Sequence, residues 1–181
     1  MNLTKDLFFS QYALATLFSV TNKLQVQGDK YLGDLTIRQM LAVPAIIHAP
    51  EGKATINHIA RQLGTTKQST KQIIDTLEKK KYLSVEQSPI DKRAVNITIT
   101  PEGEKAFIEC SNRTDEFLAD IFCNFTAEDL ETFCNLLRKL YGFDGTEQDD
   151  YEKELNFHTS DEVAVLQHHP NYLKRRINKH E

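Results

Sequence analysis

The sequence is poor in several residues that would have announced a function. Tryptophan is absent, cysteine occurs three times, proline five times and glycine seven times in 181 residues. Three scattered cysteines, Cys110, Cys123 and Cys134, make no disulfide framework and predict reduced thiols in a cytoplasmic protein. No apolar run approaches the roughly 18–20 residues that cross a bilayer, so no membrane span is expected. The N-terminal segment carries Lys5 beside Asp6, with Ser10, Gln11 and Thr16 among its apolar residues, unlike a secretion signal. Gly52-Lys53-Ala54-Thr55 lacks the earlier glycine and the Lys-Ser/Thr pair of a phosphate loop. His168 and His169 are adjacent, so on a helix they diverge by about 100° and make a poor metal pair. No nucleophile elbow, triad order or dinucleotide fingerprint occurs. No enzyme, cofactor or metal is therefore expected.

An excess of basic charge is lacking too: the net charge is −4. The distribution says more than the sum. Residues 143–181 hold 5 basic and 9 acidic residues, whereas residues 61–100 hold 8 basic and 4 acidic. An acidic tail thus masks a locally basic segment.

What is present is mostly helical periodicity. Leu3, Leu7, Leu14, Leu17, Phe18 and Leu24 recur at helical spacings, widened by Phe8, Phe9 and Tyr12. They predict a helix over 4–27 ending near Gly28, a rod of over about 30 Å whose surface exceeds what one small domain covers. Residues 28–35 read as a connection. Thr36 caps a second helix running to Ile47, with a kink or break expected at Pro44. Thr55 caps a short helix buried through Ile56, Ile59, Ala60 and Leu63 and ended by Gly64. Thr66 can accept the free N–H of Ser69 and open a helix at Lys67. Its buried line is Thr70, Ile73, Ile74 and Leu77, and its outer face carries Lys67, Gln68, Lys71 and Gln72. Two short helices around a glycine turn make a helix-turn-helix.

The period then changes to two. Leu83 and Val85, then Val95, Ile97 and Ile99, alternate with polar residues and predict a hairpin whose loop, 88–93, is polar and charged. Pro101 suits the first turn of another helix, marked by Phe107, Cys110, Phe117, Ile121 and Phe125. Thr126 to Asp129 resembles a capping box that opens a helix buried through Leu130, Phe133, Leu137 and Leu140 and stopped by Gly142. Residues 143–157 read as a linker. Ser160 is a candidate cap for a helix over 161–167, Pro170 interrupts, and 172–179 forms a last basic turn or two.

The segment from Ile59 to Gly103 resembles the winged-helix core of the MarR family of bacterial transcription regulators. The resemblance rests on the wing residues Asp91-Lys92-Arg93 followed by Ile99-Thr100-Pro101-Glu102-Gly103. It is close from about 36 to 103 and extends in outline over the first 142 residues. It implies a mainly α fold with a small β-hairpin wing: a winged helix-turn-helix core flanked by long N- and C-terminal dimerisation helices. The expected division is 1–35 for the N-terminal dimerisation helix and connection, 36–103 for the DNA-binding lobe, 104–142 for the C-terminal dimerisation helices and 143–181 for an acidic linker and extension. One departure stands out. The family usually has glycine after the recognition helix, and this chain has Lys81. Either Lys81 is left-handed or the helix ends differently.

The residues point the same way as the resemblance. Thr66, Lys67, Gln68, Ser69, Lys71 and Gln72 occupy the N-terminal turns that a recognition helix offers to base edges. Glutamine suits the N6 and N7 of adenine, and lysine reaches guanine or phosphate. Ser69 sits near the positive helix end, where phosphates bind. Arg93 at a wing tip suits a narrow A·T-rich minor groove. The family pattern makes Asp91 its support, and Lys92 fits a phosphate contact. The expected partners are double-stranded DNA with a pseudo-palindromic operator and a second copy of the chain. By resemblance a small aromatic or anionic effector binds between dimer helices and lobe, with Phe8, Tyr12, His48 and Phe107 as candidate lining. The competing reading is a winged-helix protein-interaction module that reads no DNA sequence.

Overall fold

The computed structural model describes residues 3–50, 54–87, 95–145 and 169–177. The elements, in chain order, are α1 (Leu3–Leu32), α2 (Ile37–Ile47), α3 (Ile56–Gln62), α4 (Lys67–Lys79), β1 (Leu83–Gln87), β2 (Val95–Ile99), α5 (Pro101–Ile121), α6 (Ala127–Tyr141), a 3-10 turn (Gly142–Asp144) and α7 (Pro170–Ile177). The expected helix over 161–167 and the loop 88–93, with Asp91, Lys92 and Arg93, lie outside the described residues.

Threonine opens most of the lobe. Thr36, Thr55, Thr66, Thr100 and Thr126 each accept the N–H three residues on, satisfying a donor that the first helical turn leaves free. Gln39 returns a bond to the Thr36 N–H, completing a capping box. Helices α2, α3 and α4 pack around Ala42, Ile59, Ile74 and Leu77, all within 1% of complete burial. The hairpin is antiparallel, pairing Leu83 with Ile99, Val85 with Ile97 and Gln87 with Val95. Its apolar face closes the same core through Leu83 and Ile97. The carbonyl of Ala54 accepts the Ile97 N–H at 2.9 Å, so one hydrogen bond pins the chain before α3 to the β2 side of the hairpin.

Four expectations need correction. Helix α1 does not stop at Gly28 but continues to Leu32, and Gly33, at φ 72°, is the left-handed residue that ends it. Gly28 is instead a close-approach position: a Cβ there would lie 3.2 Å from Ile37. The extra turn carries Leu32 into the lobe core beside Leu35. Pro44 does not break α2, which runs unbroken to Ile47. Ala42, Val43, Ala45 and Ile46 around it are all buried, and that packing outweighs the lost hydrogen bond. The last helix, expected over 172–179, starts two residues earlier, with Pro170 at its first position. Finally, α6 buries no residue: Phe133, Leu137 and Leu140 are 37%, 38% and 52% exposed within the single chain.

Lys81 takes the left-handed conformation, with φ 62°. The Lys81 N–H reaches the Glu78 carbonyl and the Tyr82 N–H reaches that of Leu77, at 2.8 and 3.0 Å. This is the Schellman ending that glycine usually provides. The Thr100 hydroxyl donates to the Lys81 carbonyl at 2.6 Å and fastens the turn to the start of α5. Gly103 lies under the same turn. A Cβ on it would meet the Tyr82 carbonyl oxygen at 2.0 Å, which is why the first turn of α5 needs glycine.

Candidate nucleic-acid interface

Helix α4 presents one face outward and anchors the other. Thr70 and Leu77 are fully buried, Ile74 is 1% exposed, and Ile73 is half-buried. The Thr70 hydroxyl is spent on the Thr66 carbonyl at 3.1 Å, so a buried polar group is satisfied inside its own helix. Lys67, Gln68, Lys71 and Gln72 are all exposed. Their offsets of one and four residues put them on one contiguous face.

The N-terminus of α4 is positive in two ways. No acidic residue lies in its first turn, so the partial positive charge of the helix end is unopposed. Lys67 and Lys71 add formal charge. Thr66 accepts the Ser69 N–H at 3.1 Å and donates its hydroxyl to Ser69 Oγ at 3.0 Å. That leaves the Ser69 O–H as a donor for an incoming acceptor. At the other end, Lys80 donates through Nζ to the Asp34 carbonyl, tying the end of the helix to the connection after α1.

The four residues named for an effector cleft are dispersed. Phe8 and Tyr12 are 60% and 63% exposed on the outlying part of α1 and stack on each other, with centroids 6.4 Å apart. His48 is the exposed C-terminal cap of α2. Phe107 is a core residue, edge-on to Tyr82 at 5.9 Å. A separate cleft of about 60 Å³ lies between the end of α1 and α5, lined by Leu32, Asp34, Leu35, Tyr82, Ala106, Glu109, Cys110 and Arg113. It has room for a few waters. Burial pushes the Cys110 thiol up, against the opposing pull of Arg113, so the thiol is a poor nucleophile.

One cluster was missed by sequence reasoning. Asp115, Glu116 and Asp120 on α5 meet His169 and Arg175 of the C-terminal segment. The signal was a run of acids at helical spacing opposite the basic triplet 174–176, which net charge alone concealed. No group of three or more metal-ligating side chains occurs among the described residues. No helix among them is long and apolar enough to cross a membrane.

Residues 33–94 match the MarR family. The chain is 32% identical over 89 residues to an uncharacterised HTH-type transcriptional regulator, YsmB, of Bacillus subtilis (strain 168); the match takes in 49% of this chain and 61% of that protein. It thus spans about three-fifths of the length of its curated relative. Among solved structures it resembles MepR of S. aureus in complex with DNA, with a TM-score of 0.63 and 23% identity over 71% of this chain and 96% of the other. It likewise resembles a mutant MarR from E.coli complexed with operator DNA, with a TM-score of 0.62 and 23% identity over 74% and 97%. A third is Bordetella bronchiseptica BpsR, whose DNA binding is regulated by 6-hydroxynicotinic acid, with a TM-score of 0.62 and 20% identity over 70% and 91%. At these identities the structures speak for the fold.

Proposed function

We propose that this chain, whose residues 33–94 match the MarR family, is a dimeric, sequence-specific DNA-binding transcription regulator of the cytoplasm, acting as a ligand-responsive repressor. The observation that carries the proposal is the outer face of α4: two lysines and two glutamines, all exposed, beside a helix N-terminus without an acidic neighbour. A rigidly seated helix with that face fits the major groove. Gln68 and Gln72 read adenine, Lys67 and Lys71 reach guanine or phosphate, and Thr66 and Ser69 hold a phosphate at the helix end. Asp91, Lys92 and Arg93 form the minor-groove wing contact. Residues 36–103 act as the reading lobe, and 1–35 and 104–142 as the dimerisation elements.

Dimerisation is supported by unspent apolar surface. Leu3, Leu7, Phe8, Phe9, Tyr12, Leu14 and Phe18 on α1, and Leu136 and Leu140 on α6, are each more than half exposed in one chain. Apolar exposure on that scale marks an association surface. Two copies then read two half-sites one turn apart, roughly 34–36 Å. Phe8 and Tyr12 would line an effector cleft together with residues of the second copy. BpsR, regulated by 6-hydroxynicotinic acid, is a precedent for a small aromatic acid as effector.

The test is selection of bound genomic fragments by the purified protein, then footprinting at two salt concentrations. The expected result is a two-fold symmetric protected site whose affinity falls steeply with salt, as counterion release requires. No enriched fragment at low salt overturns the reading in favour of a protein-docking winged helix. Within the site, Arg93→Ala weakens binding markedly while the dimer stays folded, and equal affinity sinks the wing assignment. Gln68→Ala changes base preference more than overall affinity; a uniform loss at every sequence removes the base-reading role.

A further inference from the structure

Helix α7 lies along the second half of α5 in parallel register. His169 Nδ1 sits 2.9 and 3.1 Å from the two carboxylate oxygens of Asp115. Arg175 donates through Nε and Nη2 to the two oxygens of Asp120, at 3.1 and 2.9 Å, and through Nη1 to Glu116 at 2.9 Å. Arg176 donates to the carbonyls of Phe122 and Phe125, the latter at 2.8 Å. From His169 to Arg176, and from Asp115 to Phe122, the chain advances by the same number of residues. The two segments therefore run the same way and match turn for turn.

Two features make this a built contact rather than a surface ion pair. The Asp115 side chain is only 6% exposed and that of Asp120 17%, so both carboxylates need a partner. Arg176 meets the carbonyls of Phe122, the C-terminal cap of α5, and of Phe125 in the turn that follows, close to the helix end where the dipole favours a cation. Asp120 also accepts the hydroxyl of Tyr31, whose ring packs on Phe117 at 5.2 Å. One carboxylate thus joins α1, α5 and α7. That is the junction between lobe and outlying helices, because α5 starts two residues after β2 and α1 passes through Gly33 into the lobe.

We propose that residues 169–177 form an intramolecular latch that clamps α1 to α5 through Asp120, and that the seated latch raises DNA affinity by holding the lobe at a fixed angle to the outlying helices. The second half rests on the function proposed above. A lobe free to swing must give up that freedom on DNA, whereas a clamped one has already done so. The variant Arg175→Gln keeps length and polarity and removes the charge shared by Asp120 and Glu116.

The test compares full-length protein with Arg175→Gln, Asp120→Asn and the double variant. By amide exchange, each single variant speeds exchange over 115–121 and 28–32 about tenfold and leaves 67–79 unchanged. The double variant goes little further, because both changes release the same clamp. Arg175→Lys recovers part of the protection. Affinity for the selected DNA falls about three- to tenfold in the single variants, with the dimer intact. Unchanged exchange over 115–121 overturns the latch. Faster exchange with unchanged DNA affinity overturns its regulatory role. Should wild type and variants alike select no DNA, the function reading falls, and the exchange result still decides the latch.

Discussion

The lobe and the outlying helices use similar apolar stripes to opposite ends. In the lobe, Leu32, Leu35, Ile59, Ile74, Leu77, Leu83 and Ile97 are each at most 3% exposed, and the stripes of α2, α3, α4 and the hairpin close on one another. In α1 and α6 apolar residues also recur at helical spacings, yet Leu7, Phe18, Leu136 and Leu140 are each more than half exposed. Periodicity says that a helix has a face to bury and does not say in which chain the face is buried. The lobe closes its core with Leu32 of α1 and Phe107 and Cys110 of α5, whereas the outer faces of α1 and α6 stay open within one chain. Breaking each region should therefore give different symptoms.

The largest effect is expected outside the lobe. Phe18→Glu places a charge in the proposed dimer surface and should raise the dimer dissociation constant by about 100-fold or more. Sedimentation should show monomer, while the far-ultraviolet circular dichroism of the lobe persists. A dimer as tight as wild type would mean that α1 is completed otherwise. Inside the lobe the symptom is unfolding. Leu77→Ala, at a fully buried position, should cost about 2–5 kcal/mol in chemical denaturation. Gly103→Ala drives a methyl group into the backbone of Tyr82 and should cost about 1–3 kcal/mol or more.

Lys81→Gly sharpens the comparison in the other direction. A lysine at φ 62° pays for a conformation that glycine adopts freely. The substitution should stabilise the chain by about 1 kcal/mol, since the turn's hydrogen bonds come from the backbone and the Thr100 hydroxyl. An unchanged midpoint would mean that the lysine side chain itself contributes as much as its backbone costs.

The lobe was legible in the sequence because its signals are local. Thr36, Thr55, Thr66 and Thr126 cap as their spacing predicts, and the buried line of α4 is the one read from its period. Glycine and proline were harder. A glycine marks either a left-handed residue or a close approach, and residue type alone does not distinguish Gly33 from Gly28. Proline is as ambiguous: at Pro44 buried neighbours carry α2 through without a break, while Pro170 opens α7. Of the candidate interface, the exposure of Lys67, Gln68, Lys71 and Gln72 was legible from the period of α4. The Asp115–Glu116–Asp120 cluster was not, because its partners lie about 55 residues away in sequence.

The smallest expected effect tests a cap on the outlying side. Asp129 accepts the Thr126 N–H and hydroxyl at 2.9 Å each, and these bonds hold its carboxyl below the usual aspartate range. A depressed folded-state pKa means that the carboxylate's stabilisation is fully present above the unfolded-state value and is lost as pH falls through the folded-state value. Asp129 is fully exposed, so the pH effect on stability is small. Nuclear magnetic resonance titration should find the Asp129 carboxyl titrating below a free aspartate, and Thr126→Ala should bring it only part of the way back, because the backbone N–H, the larger cause, remains. The same substitution removes an N-cap, at about 1 kcal/mol, and frays the first turn of α6. If α6 is completed by a second copy, that fraying should also weaken the dimer slightly. If α6 stands alone in solution, the cap matters only to the helix and the association constant stays put.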